Sequence, residues 1–202
     1  MANIFSDNFN RADNTDLGVN WTGGSNFFQI VNNEVTRTGQ FFDDVKRITT
    51  STPNANYTVE CDVRLSDGDS RPGVFARFTG TDTTNSSYYG LRITPFSPFS
   101  LSLGLLKIVS ITETLLASTV LSFVFGQVYK LKIQVDGTEI KGFLDGVLKL
   151  TANNSDISSL GNGGIFCSSS STNTFWDNFS VDELLAGFPD ELFQTRRVLN
   201  QP

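Results

Sequence analysis

VYKLKIQVDGTEIKGFLDGVLKLTANN, residues 128–154, decides the fold class. Leu131, Ile133 and Val135 fall on one side of an extended chain, and Lys130, Lys132 and Gln134 on the other. Strand side chains alternate faces, so this run has one buried face and one wet face. Two Asp-Gly pairs, Asp136-Gly137 and Asp145-Gly146, punctuate it. Each pair suits the centre of a type I′ turn, which needs positive φ at two successive residues and twists as the strands it joins do. The prediction is a three-stranded antiparallel meander.

The same reading extends outward. YTVECDVRL, residues 57–65, puts Tyr57, Val59, Cys61, Val63 and Leu65 on one face and Thr58, Glu60, Asp62 and Arg64 on the other. Residues 27–31 and 34–38 pair across Asn32-Asn33 as a hairpin, and DVKRITT, from residue 44, is a further strand. RPGVFARFTG is expected to carry Val74, Ala76 and Phe78 on one side and to pair with SYYGLRIT, residues 87–94. PFSPF, residues 95–99, reads as an interrupting loop, followed by strands within 101–125. The segments around GGIFC and TFWDNFSVDE supply the last two strands. Short strands separated by frequent turns, without helical periodicity before residue 183, are the pattern of a sandwich or barrel. Asp7-Asn8-Phe9 recurs as Asp177-Asn178-Phe179, as expected if the first and last strands lie side by side.

Composition narrows the function. Apolar residues make up 39% and charged residues 18% of the 202, which suits one packed domain. The formal net charge of −6, with no basic stripe, argues against nucleic acid as a partner. There is no histidine, which removes Ser-His-Asp and Cys-His catalysis and His-ligated zinc together. Cys61 and Cys167 read as small core residues, with a single bridge between them as the alternative. MANIFSDNF lacks the pattern of a cleavable signal and no run reaches transmembrane length, so synthesis in the cytoplasm and no membrane partner are expected.

These pieces together resemble the concanavalin A-like lectin/glucanase superfamily, in particular its laminin-G-like jelly-roll members. The matching segments are DNFNRAD…LGVNW (7–21), YTVECDVRL (57–65), VFARF (74–78), YYGLRI (88–93), YKLKIQVDGTEIKGFLDG (129–146) and GNGGIF…FWDNFSV (161–181). The resemblance implies an all-β fold, a two-sheet antiparallel jelly-roll sandwich over residues 1–182, with a short C-terminal helical tail over 183–202. It also implies a concave sheet face that in this superfamily often binds carbohydrate. Such sandwiches host lectins, glycosidases and structural modules alike, so the site must decide.

Three constellations are candidates. Retaining glycosidases of the superfamily carry E-x-D-x-x-E or E-x-D-x-E on one strand, which brings nucleophile and acid close together. Here Glu60 and Asp62 share a face, but Val63, Arg64 and Leu65 follow. The third acid is missing and an arginine stands on the same face, so catalysis is not expected and solvated cross-strand ion pairs are. A glycan platform would use the rings of Tyr88, Tyr89, Phe96 and Phe99, against the bland alternative that PFSPF tucks its rings onto the sandwich edge. The resemblance further implies a structural calcium between the first and last strands. Asp7 and Asp177 would be its ligands, against their reading as ordinary turn residues.

The tail differs in kind. Pro189, Asp190 and Glu191 suit a helix start and Arg196 and Arg197 its end, giving a helix near 189–199. An isolated helix so short needs a surface to dock on. Leu184, Leu185, Phe188, Leu192, Phe193 and Leu199, with the two arginines, are the docking candidates. The leading expectation is a non-enzymatic decoration or cement protein of a larger assembly, such as a phage capsid or tail, exposed at the virion surface. The alternative is a lectin-like module on the concave face. A homo-oligomer is compatible with either.

Overall fold

The computed structural model describes residues 2–24, 27–38, 44–66, 68, 71–81, 85–97, 100–168 and 173–184, with the side chains of Phe96 and Ser97 outside that set. The strands are β1 (Ala2–Asp7), β2 (Trp21–Thr22), β3 (Phe28–Val31), β4 (Glu34–Arg37), β5 (Asp44–Ile48), β6 (Tyr57–Leu65), β7 (Pro72–Thr79) and β8 (Ser87–Ser97). They continue with β9 (Ser100–Val109), β10 (Thr112–Ser122), β11 (Val128–Asp136), β12 (Glu139–Leu144), β13 (Val147–Asn153), β14 (Asn162–Cys167) and β15 (Thr174–Glu183). One sheet runs β13-β12-β11-β6-β15-β4-β3, with β1 also on β15, and the other runs β10-β9-β8-β7-β14-β5-β2. The expected all-β, two-sheet antiparallel sandwich is what forms.

Alternation builds the core. Leu131, Ile133 and Val135 of β11 lie opposite Cys61, Val59 and Tyr57 of β6 inside the sandwich, all fully buried. Each such aliphatic side chain contributes about 1.5–3 kcal/mol by leaving water. Cys61 and Cys167 are both buried and neither forms a disulfide. The meander is β11-β12-β13, and its second turn is centred on Asp145 (φ 51°) and Gly146 (φ 77°), as a type I′ turn requires. The first turn sits one residue later than expected. Asp136 already pairs with Glu139, so Gly137 and Thr138 form the loop, and of the two only Gly137 has positive φ.

Two expectations fail for identifiable reasons. Residues 95–97 of PFSPF do not interrupt the sheet: β8 continues to Ser97, Pro95 pairs with Leu101 and Ser97 with Ser100, while Pro98 and Phe99 lie outside the described residues. β7 pairs with β8 only as far as Arg92, so the missing N–H of Pro95 faces no β7 partner. Nor do Val74, Ala76 and Phe78 share a side. Arg77 adopts φ 56° and the register shifts between Ala76 and Thr79, a bulge that turns Phe78 to the opposite face. Arg77 itself is buried, donating from Nε to the Ala55 carbonyl (2.9 Å) and from Nη1 to that of Ile157 (2.9 Å).

The C-terminal helix expected near 189–199 lies outside the described residues, and with it Leu185, Phe188, Leu192, Phe193, Arg196, Arg197 and Leu199. Leu184 is described: it is half-buried at the end of β15, its N–H bonded to the Asn56 carbonyl (3.1 Å).

Candidate functional site

The outer faces of the two sheets have opposite characters. On the second sheet, Phe75, Phe78, Tyr88 and Phe166 form a ring cluster with Val45, Leu106 and Ile108, separate from the main core. Tyr88 stacks on Phe78 with centroids 5.6 Å apart, and its other neighbours are Phe75 (5.2 Å) and Phe166 (5.8 Å). Glycines make room for the rings, since a Cβ at Gly73 would come within 2.2 Å of the Phe166 ring, and one at Gly164 within 2.4 Å of Phe75. Tyr88 is only 5% exposed. Its ring face is spent on its neighbours, which corrects the expectation that it offers a platform to a sugar.

Tyr89 points the other way, into the main core, and is fully buried. Its hydroxyl donates to Asn154 Oδ1 (2.6 Å) and accepts from the Ile157 N–H (3.0 Å), and burial pushes its pKa up. It cannot stack on a ligand. The Phe96 side chain and Phe99 lie outside the described residues.

On the first sheet the outer face is polar. Glu60 and Asp62 do share it, as the alternation of β6 predicts. Glu60 accepts from Lys130 (3.1 Å) and faces Lys132 (3.3 Å), and Asp62 lies 3.7 Å from Lys130. The Glu60 carboxylate beside Lys130 holds its ammonium above the usual lysine range. Arg64 pairs with Glu34 and lies 4.0 Å from the centroid of the Phe175 ring. The expected solvated face of cross-strand ion pairs is present.

Next to these carboxylates the two Asp-Asn-Phe segments come together. β1 lies antiparallel on β15 with Asp7 opposite Phe179 and Ser6 opposite Ser180. Both phenylalanines are buried against Trp21, with centroids 5.7 Å away for Phe9 and 4.8 Å for Phe179. Both segments also contain a residue in the left-handed region, Phe9 (φ 51°) and Asn178 (φ 50°). At Asn178 the β15–β6 register slips between Asp177 and Ser180, a bulge in the middle of the sheet. The slip opens a pocket lined by Ser6, Asp7, Asn8, Asn178, Phe179 and Ser180. Asn178 Nδ2 donates to Asp62 Oδ2 (3.0 Å). The pocket and the ion-paired face therefore form one surface, running from Asn8 to Lys130. Sequence reading found the repeated tripeptide and its adjacency, but nothing in the sequence marks a bulge inside a strand.

The two aspartates of the repeat have different surroundings. Burial pushes the Asp7 carboxyl up, but donors outweigh it and leave it below its ordinary value. These are Arg11 (2.6 Å to Oδ1, 3.0 Å to Oδ2), Trp21 Nε1 (2.9 Å) and the Phe9 N–H (2.9 Å). Partial burial raises Asp177, with the carboxylates of Glu34, Asp62 and Asp7 adding to the effect against a hydrogen bond from the Asn178 N–H. A calcium ligand needs free oxygen lone pairs. Both oxygens of Asp7 are taken by donors, and the Arg11 guanidinium already supplies the positive charge, so the residues do not fit the calcium site expected at Asp7 and Asp177. Among the described residues, no group of three or more acidic or cysteine side chains is placed to hold a metal.

No protein-family profile and no curated protein matches the sequence. Solved structures do share the architecture. The carbohydrate-binding module CBM66 from Bacillus subtilis is 17% identical over 81% of this chain and 96% of its own, with a TM-score of 0.66. The CBM2 module of the evolved Dit of Lactobacillus casei BL23 phage J-1 is 13% identical over 93% and 97%, at 0.65. A Bacillus licheniformis β-glucanase is 14% identical over 90% and 98%, at 0.59. At these identities the likeness is one of fold, and that fold, shared by carbohydrate-binding modules and glucanases, agrees with a concanavalin A-like sandwich.

Proposed function

We propose that this chain is a non-catalytic carbohydrate-binding module whose binding surface is the pocket at the Asn178 bulge together with the adjoining polar face. The observation that carries this reading is the convergence of Ser6, Asp7 and Asn8 from one end of the chain and Asn178, Phe179 and Ser180 from the other on one pocket, whose lining includes two hydroxyls and two side-chain amides. Sugars are recognised by such mixed donor and acceptor groups converging in a concavity. A non-glycine residue held at positive φ inside a strand is strained, and strain of that kind collects at ligand sites.

Absence of catalysis is part of the proposal. A glycosidase needs a nucleophile and an acid flanking the bond to be cleaved. Glu60 and Asp62 instead lie among Lys130, Lys132 and Asn178, and Arg64 occupies the next position on their face, tied to Glu34. A setting on a larger assembly such as a phage virion surface is the finer part of the reading. Its support is the likeness in fold to the phage J-1 Dit module.

A glycan array tests the proposal. Wild-type protein is expected to bind a restricted set of glycans without hydrolysing them. Asn178→Ala should lose binding at least about tenfold, as loss of about 1.4 kcal/mol of hydrogen bonding implies. A folded wild-type protein that gives a blank array, or that cleaves its ligand with loss of activity in Glu60→Gln, overturns it.

A further inference from the structure

One end of the sandwich interior is polar, on the opposite side of the first sheet from the ion-paired face. Short connections, 66–71 and 168–173, join Leu65 to Pro72 and Cys167 to Thr174. Thr174 pairs with Leu65, and Cys167 with both Pro72 and Asp44, so these residues mark the same end of both sheets. Trp176 of β15 and Lys46 of β5 each stand two residues further in. Trp176 belongs to the main core, while its neighbour Phe175 lies outside beneath Arg64. Val45 and Arg47 belong with the outer rings, so Lys46 between them points between the sheets, beside Ile165. β14 and β15 lie across from one another, since a Cβ on Gly163 would come within 3.1 Å of Val181.

Three polar groups converge on this end without partners. Thr174 Oγ1 and Trp176 Nε1 belong to fully buried side chains and have no hydrogen-bond partner among the described residues. Lys46 is 6% exposed and forms no ion pair with a described residue. Buried polar groups are nearly always paired, and buried charges above all. Arg37 and Asp44, buried on the same inner faces, carry one charge of each sign, which leaves Lys46 as an excess positive charge.

We infer that this end of the interior binds a small oxyanion, a carboxylate or an inorganic phosphate, through Lys46, Trp176 and Thr174. Trp176 Nε1 and the Lys46 ammonium can only donate, so the ligand must accept. The excess charge selects an anion over water. Donors come from both sheets, which a ligand with two or more oxygens can bridge and a single-atom halide cannot.

The chain has two tryptophans, and Trp21 is an internal control because its Nε1 already donates to Asp7 (2.9 Å). The test follows the two indole N–H signals by nitrogen–proton NMR of the full chain. Sodium acetate and sodium phosphate are titrated separately, against sodium chloride at the same ionic strength and pH. The Trp176 signal should shift saturably with at least one of the two oxyanions while the Trp21 signal stays in place, and the stronger of the two distinguishes carboxylate from phosphate. Lys46→Met, which keeps the apolar stem, should weaken that binding at least about tenfold. The same anion should raise the thermal midpoint of wild type and not of the variant. A Trp176 signal that neither oxyanion moves, as when water alone fills the site, overturns the inference whether or not the variant folds. So does an equal shift in chloride or in Lys46→Met.

Discussion

The two outer sheet faces of this sandwich are made from the same alternating pattern and end up with opposite roles. On the second sheet the outward residues are rings laid over glycines, and they bury one another. On the first they are carboxylates, lysines and amides, and the strand at their centre is interrupted by a bulge. The difference teaches that an aromatic residue in a strand is poor evidence for a sugar platform until its neighbours are known. Rings with ring neighbours are core, even on an outer face. Polar residues beside a break in the backbone are the better place to look for recognition.

Substitutions can break this contrast, beginning with the sealed face. Phe166→Ala should cost about 3–5 kcal/mol, the range for emptying a packed aromatic site, read as a shift in the denaturant midpoint at unchanged slope. If glycan binding depends on the pocket, the surviving folded fraction should bind with wild-type affinity.

The twin aspartates come next. Asp7→Asn removes a charged acceptor from Arg11 and Trp21 and should cost about 1.5–3 kcal/mol. Because the folded-state pKa of Asp7 is lowered, its contribution is present above the ordinary carboxylate value and is lost as pH falls through the lowered one. Asp177 has the opposite sign. Its pKa is raised, so its ionisation costs stability as pH rises through the carboxylate range, and Asp177→Asn should be neutral or stabilising at pH 7. Unfolding measured between acid and neutral pH should therefore show Asp7→Asn flattening the acid loss and Asp177→Asn steepening it.

The smallest effect belongs to the ion-paired face. Glu60→Gln should change stability by less than about 1 kcal/mol, since its partners Lys130 and Lys132 are solvated. A larger loss would mean that the face is a structural network and would weaken its role as a binding surface.

Much of the fold was legible because alternation is a direct image of burial. Leu131, Ile133 and Val135 declared their face, and Asn32-Asn33 declared their turn, with both residues at positive φ. What escaped were the places where one residue resets the alternation. Arg77 turns Phe78 outward, and Asn178 opens the pocket. Neither arginine nor asparagine inside a strand announces a bulge, because the cause is tertiary: Arg77 is drawn to carbonyls of distant loops, and Asn178 to Asp62 on the next strand. At Pro95 the expectation erred in the other direction, since a proline is tolerated where the neighbouring strand has ended. Of the site, the sequence disclosed the repeated Asp-Asn-Phe but not what it builds. Tyr88 and Tyr89 misled because adjacent residues on a strand face opposite sides, and here both sides are closed.

The site proposed for sugar is the Asn178 bulge and not the ringed face. Backbone-amide NMR of the full chain, titrated with the oligosaccharide bound most strongly on the array, tests it most directly. The prediction is saturable shifts confined to Ser6, Asn8, Asn178, Ser180 and their neighbours on β1, β6 and β15. Shifts centred instead on Tyr88, Arg92 and Phe166, with the bulge unmoved, would contradict it.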